Sequence, residues 1–104
     1  KDVLSMANQD LLQADAGSLE ACGNDFNSCG SNVQDLLNRI RNDVNNLTGS
    51  FQGSAAQAFY SKMDTLLQQM QLVCDEVNEM GNDLKTTASK VRQLQAEAES
   101  ILRD

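Results

Sequence analysis

Few side chains in this sequence have types that do chemistry. They are three cysteines, Cys22, Cys29 and Cys74, and carboxylates that thicken locally at Asp75, Glu76, Glu79 and Asp83. Cysteines bridge, bind soft metals or attack as thiolates. Cys22 and Cys29 are seven residues apart; on one helix that separation is ~10 Å, too far for a mutual disulfide. Cys29 and Cys74 reach nearly the same height if the chain folds back near residue 51, so a Cys29–Cys74 disulfide is geometrically open. The plainer reading, that all three are small apolar core residues, stays open beside it.

A zinc site needs soft ligands at short spacing, and the chain has an odd cysteine count and no His, so no metal is expected. Lack of His also removes any Ser-His-Asp or Cys-His pair and the Glu-x-x-His motif of di-iron bundles. The acidic run has the charge to attract a cation, but such carboxylates on a helix read first as a solvated face. Gly49-Ser-Phe-Gln-Gly53 lacks the Lys-Ser/Thr ending and the preceding strand of a phosphate loop. No catalytic residue, no cofactor and no enzymatic activity are expected.

The remaining residues must therefore work through shape. The chain has 104 residues, room for one domain, and no proline, so long helices meet no interruption. Aromatics make up 4% and hydrophobic residues 40%, poor for strands and sufficient for a helical seam. The formal net charge is −7. With no basic stripe to neutralise phosphates, nucleic acid is not an expected partner, and an anionic membrane surface is disfavoured as well. No apolar run approaches the ~20 residues of a membrane span. The sequence opens at Lys1 without a signal-peptide pattern, which is consistent with a cytoplasmic protein or with export by a route that reads a folded structure.

Apolar residues recur at steps of three or four: Leu19, Cys22, Phe26, Cys29, Val33, Leu36, Ile40, Val44, Leu47, Phe51, with Leu37 widening the stripe. That spacing predicts one helix over about 18–48. Gly23 and Gly30 inside it suggest close approach of a neighbouring helix. The pattern stops at Leu47-Thr-Gly-Ser-Phe-Gln-Gly-Ser54. Gly49 is the expected left-handed closing residue, and Ser54-Ala-Ala-Gln57 the expected capping box of the next helix. A turn of residues 49–53 is short enough to force antiparallel helices.

A second stripe, Ala55, Phe59, Met63, Leu66, Met70, Val73, Val77, Met80, Leu84, Ala88, Val91, Leu94, Ala98, Ile101, predicts a helix over about 54–103. Residues 1–17, with Val3, Leu4, Leu11 and Leu12, read as an N-terminal extension of helical character ahead of the 18–104 hairpin. The fold class is all-α, an antiparallel two-helix hairpin. Its expected seam is Phe26, Val33, Leu36, Leu37, Ile40, Val44 and Leu47 against Phe59, Met63, Leu66, Met70 and Val77. A lone hairpin leaves part of so wide a face exposed, and pairing two hairpins into a four-helix bundle covers it. At the reversal, Phe51 closes the seam, Gly53 allows a tight path and Ser54 caps; truncating Phe51 costs ~3 kcal/mol if its ring is buried.

These features together resemble the WXG-motif family, the early-secreted-antigen-like small proteins of type VII secretion. The likeness rests on Phe51-Gln52-Gly53 in place of the Trp-x-Gly turn, on Ser54-Ala-Ala-Gln-Ala-Phe59-Tyr60 after it, and on Leu19, Phe26, Val33, Leu36, Leu37, Val44 and Leu47 before it. It covers about Ser18 to Asp104. Phe51 keeps the packing of the family's Trp but not its indole N–H. The family's Tyr-x-x-x-Asp/Glu export tag is missing after helix two, and Tyr60-Ser-Lys-Met-Asp64 matches its letters only at the helix start.

The resemblance implies a non-enzymatic secretion substrate or adaptor, virulence-associated, acting as a homodimer or as a heterodimer with a related hairpin protein that supplies the tag. It further implies a turn recognised by the secretion ATPase. Its location would be cytoplasmic before export, then secreted or on the cell surface by a signal-peptide-independent route. The competing reading is an intracellular coiled-coil adaptor or a fragment of a larger signalling or structural protein.

Overall fold

A computed structural model of the protein describes residues 10–103. The chain is a helical hairpin: α1 (Ala16–Leu47) and α2 (Ser54–Arg103) are joined by a turn. Among the described residues there is no strand. Much of the expected N-terminal extension, residues 1–9, lies outside the described residues; residues 10–12 are helical.

Helix α1 starts two residues before Ser18 because Asp15 supplies the cap. Its Oδ1 accepts the backbone N–H groups of Gly17 (3.0 Å) and Ser18 (3.3 Å), and its Oδ2 accepts the Ser18 hydroxyl (2.8 Å). Two of the unpaired donors of a helix N-terminus are satisfied in this way. The Ser18 hydroxyl, then the Ser18 backbone N–H, hold the Asp15 carboxyl below its ordinary value of 3.8.

At the other end of α1, the Leu47 carbonyl accepts both Ser50 N–H (3.0 Å) and Phe51 N–H (2.8 Å). The left-handed residue of the turn is Gly53, at φ +109°, and not Gly49. The backbone must swing at Gly53 to start the returning helix, and a residue without Cβ does so without strain. The Gly53 carbonyl accepts Gln57 N–H at 3.0 Å, which makes Gly53 the N-cap and Ser54 the first helical residue. The capping box expected from Ser54 and Gln57 therefore does not form.

The hairpin divides into two compact units, one comprising Phe26 and the residues before it with Met80 and those after it, the other Asn27–Glu79. In the first, Ala16, Ala88 and Val91 form the core, with Leu11, Ala14 and Leu19 packed on it. Gln95 Nε2 donates to the Leu12 carbonyl (3.1 Å) and the Ala14 carbonyl (3.2 Å). An exposed Arg92–Glu20 pair spans the helices at 2.8 Å. Gly23 lies against the backbone of Gly81: a Cβ there would stand 2.7 Å from the Gly81 carbonyl oxygen.

In the second unit, Leu37 (0% exposed), Leu67 and Cys74 form the core, flanked by Val33, Ile40, Met63 and Met70. Burial of one such side chain as complete as that of Leu37 contributes ~1.5–3 kcal/mol. The three cysteines are free. The residue facing Cys74 is Gly30, whose carbonyl accepts the Cys74 thiol at 3.2 Å. Cys29, one residue before, is turned outward and exposed, so the helix register sets the two thiols on different faces and no Cys29–Cys74 bridge is present.

Two substitution sets test these contacts. Gly23→Ala gains ~1 kcal/mol in helix propensity, yet the Gly81 carbonyl cannot step aside, so a net loss of ~1–2 kcal/mol is expected. Gly49→Ala, with no atom within 4 Å of its Cβ, is expected to gain ~0.4–1 kcal/mol. Thermal unfolding midpoints should shift in opposite directions; a rise in both would remove the close approach at Gly23. For Asp15, the lowered carboxyl value means the cap is fully stabilising above 3.8 and is lost as pH falls through the lower folded value. Hydrogen-exchange protection at Gly17 and Ser18 should fall over that acidic window, and Asp15→Ala should abolish the pH dependence.

Candidate functional site

Within Asn27–Glu79 the two edges of the helix seam differ in chemistry. One edge is polar. Gln34 and Gln71 exchange reciprocal amide bonds, Gln71 Nε2 to Gln34 Oε1 at 2.6 Å and Gln34 Nε2 to Gln71 Oε1 at 3.1 Å. Arg41 Nη2 donates to the same Gln71 oxygen at 3.2 Å, and Gln71 Nε2 also donates to Asp75 (3.0 Å). Further along, Asn27 Nδ2 donates to the Asn78 carbonyl at 3.0 Å. Gln34, Arg41 and Gln71 satisfy one another on this edge, while the Asn27 Oδ1 is buried without a hydrogen-bond partner.

The opposite edge is apolar and half-buried: Val33, Ile40 and Val44 on α1, Phe59, Met63, Met70 and Val77 on α2. It runs out onto a face that nothing among the described residues covers. There Leu36 is 48% exposed, Leu66 46% and Val73 60%, with Leu47 and Cys29 beside them. On α2, residues at steps of three and four share one face, so Phe59, Leu66, Met70, Val73 and Val77 form a single stripe. An exposed apolar strip of this kind marks an interaction surface.

The turn closes this unit with three rings. Phe51, Phe59 and Tyr60 lie with centroids 5.7–6.1 Å apart in tilted and edge-on arrangements. The Tyr60 hydroxyl donates to the Phe51 carbonyl at 2.6 Å and ties α2 to the turn. Phe51 itself is 39% exposed, so its ring caps the end of the unit and is not buried.

The expected seam residues thus separate into classes. Leu37 is fully buried; Val33, Ile40, Val44, Phe59, Met63, Met70 and Val77 are half-buried; Leu36, Leu47 and Leu66 are exposed. Phe26 is half-buried in the other unit. Unread in the sequence were the amide edge, although Asn27, Gln34 and Arg41 recur at seven residues beside the apolar stripe, and the Tyr60 tie. Among the described residues no group of three or more His, Cys, Asp or Glu is placed to hold a metal. No helix of the described residues is long and apolar enough to cross a membrane. The chemistry this arrangement offers is association.

Comparison with known proteins gives one match. The family described as proteins of 100 residues with WXG (WXG100) matches residues 11–96. No curated protein and no solved structure matches the chain.

The aromatic turn carries a measurable consequence. Tyr60→Phe keeps the ring and deletes the bond to the Phe51 carbonyl, and should lower stability by ~0.5–1.5 kcal/mol without loss of helix content. Phe51→Ala should cost well under the ~3–5 kcal/mol of a buried phenylalanine. Denaturant midpoints with circular dichroism check both; a larger effect of Phe51→Ala would mean that another surface covers the ring.

Proposed function

The chain belongs to the WXG100 family of type VII secretion-associated small helical proteins, and we propose that it acts there without catalysis, as a helical dimer that is exported or escorts an exported partner. Its partner is a second hairpin, and the outer face of the Asn27–Glu79 unit is where that hairpin packs. One observation carries the reading: Leu36, Leu66 and Val73 stand exposed on the same side as a half-buried apolar edge, while the opposite edge is closed by amide bonds. Four helices bury such a face where two cannot. The turn, with Phe51 partly exposed beside Phe59 and Tyr60, remains free in that arrangement for the secretion ATPase.

Light scattering tests the proposal directly. The purified chain, alone or co-expressed with a related hairpin protein, should have the mass of a dimer at micromolar concentration. Leu36→Asp combined with Leu66→Asp should give a monomer that keeps its helix content, because neither side chain belongs to the Leu37–Leu67–Cys74 core. A helical monomer in every wild-type sample would overturn the reading. In cells that possess the secretion machinery, the protein should appear in the medium and vanish from it when the ATPase is inactivated.

A further inference from the structure

Beyond the Gln34–Gln71 amides, toward the turn, the polar edge opens into a cleft of about 390 Å³ between α1 and α2. That volume is in the range of small-ligand sites. Val44, Met63 and Leu67 supply its apolar part, and Tyr60 lines it at the turn end. The Tyr60 hydroxyl is already bonded to the Phe51 carbonyl at 2.6 Å.

Two opposite charges line the same cleft, Arg41 from α1 and Asp64 from α2. The Gly30–Cys74 and Gln34–Gln71 contacts set the register of the antiparallel helices, and in that register residues 41 and 64 stand level. They do not pair with each other. Arg41 Nη1 donates to Asn38 Oδ1 at 3.4 Å and Nη2 to Gln71 Oε1 at 3.2 Å, both on the side away from the turn. Asp64 Oδ2 accepts Gln68 Nε2 at 3.2 Å. All of these partners are neutral amides. A guanidinium has five N–H donors and a carboxylate about four acceptor positions, so each group keeps capacity for a charged partner. Charge-assisted bonds are roughly twice as strong as neutral ones. Arg41 is also half-buried, which reduces the competition from water. A lone carboxylate in the cleft would meet Arg41 but also the repulsion of Asp64, and a lone ammonium the reverse. A ligand with both charges meets attraction on both walls.

We propose that the cleft binds a small zwitterion with an apolar side chain, in chemical class an apolar α-amino acid. Its carboxylate lies on the Arg41 guanidinium, its ammonium on the Asp64 carboxylate and its side chain on Val44, Met63 and Leu67. The cleft is on the amide edge, away from Leu36, Leu66 and Val73, so the proposal is independent of the dimeric reading.

Titration of the full chain with free L-leucine, followed by backbone amide shifts in NMR, tests it. So open a cleft should give a dissociation constant on the order of 1 mM, with shifts at Val44, Asp64 and Leu67. Isocaproate is leucine without its ammonium, and isoamylamine is leucine without its carboxylate. Each should bind about tenfold more weakly than leucine, or worse. Asp64→Asn should weaken leucine about tenfold and leave isocaproate no weaker; Arg41→Gln should weaken leucine about tenfold and leave isoamylamine no weaker. Circular dichroism checks that both variants keep their helix content, and the comparison of the three ligands on wild type needs no variant. Isocaproate or isoamylamine binding as tightly as leucine would overturn the zwitterionic class, as would leucine affinity unchanged in folded Asp64→Asn. No shift at leucine concentrations about tenfold above the expected constant, or shifts confined to Leu66 and Val73, would overturn the site itself.

Discussion

Two helices share one line of closest contact, and small residues recur along that line here. In the unit that includes the chain ends it is Ala16, Ala88 and Val91, with Gly23 against the Gly81 backbone. In the turn unit it is Leu37, Leu67 and Cys74, with Gly30 so near Asn78 that a Cβ would collide with the Asn78 side chain. Small residues let the backbones approach, and close approach lets side-chain amides reach across, as Gln34 and Gln71 do. The same residues have little apolar area to bury. A chain of this size that buries so little is marginal by itself. On the dimeric reading proposed above, a second hairpin compensates for the choice of glycine, alanine and cysteine at the seam.

What was legible in the sequence followed from period and composition. Absence of proline and a sustained three-and-four spacing identify helices, and the glycine-rich break around Phe51 identifies a reversal, because each is a local property of the chain. Rotation of each helix about its axis is not local. A stripe that includes both Leu36 and Leu37 is compatible with either one at the seam, and the two side chains differ by ~100° around the helix. The structure buries Leu37 and exposes Leu36, and with that phase Gly23 and Gly30 fall inward while Cys22 and Cys29 fall outward. A seven-residue line of Gly23, Gly30 and Leu37 did carry this information, since glycine is costly within a helix unless something occupies its space. The turn was misread for a related reason. Gly49 and Gly53 are equally permissive, and only the direction in which α2 must leave decides that the positive φ belongs to Gly53.

On the dimeric reading proposed above, the polar edge accounts for the choice of the apolar edge as the partner's side. A hairpin of apolar residues on both edges could be covered from either side and would pair in several ways. Gln34 and Arg41 with Gln71 remove one of the two choices: these side chains are already bonded to one another, and covering them would withdraw them from water for no apolar gain. Removal of a partner from such a bonded pair leaves an unsatisfied group, so the network also resists slippage of one helix along the other. The remaining edge has no polar group to lose at Leu36, Leu66 or Val73. Association there releases water from apolar surface and needs only a facing helix of matching spacing. On the proposed reading the amides give the hairpin its register and the leucines offer the surface for a partner.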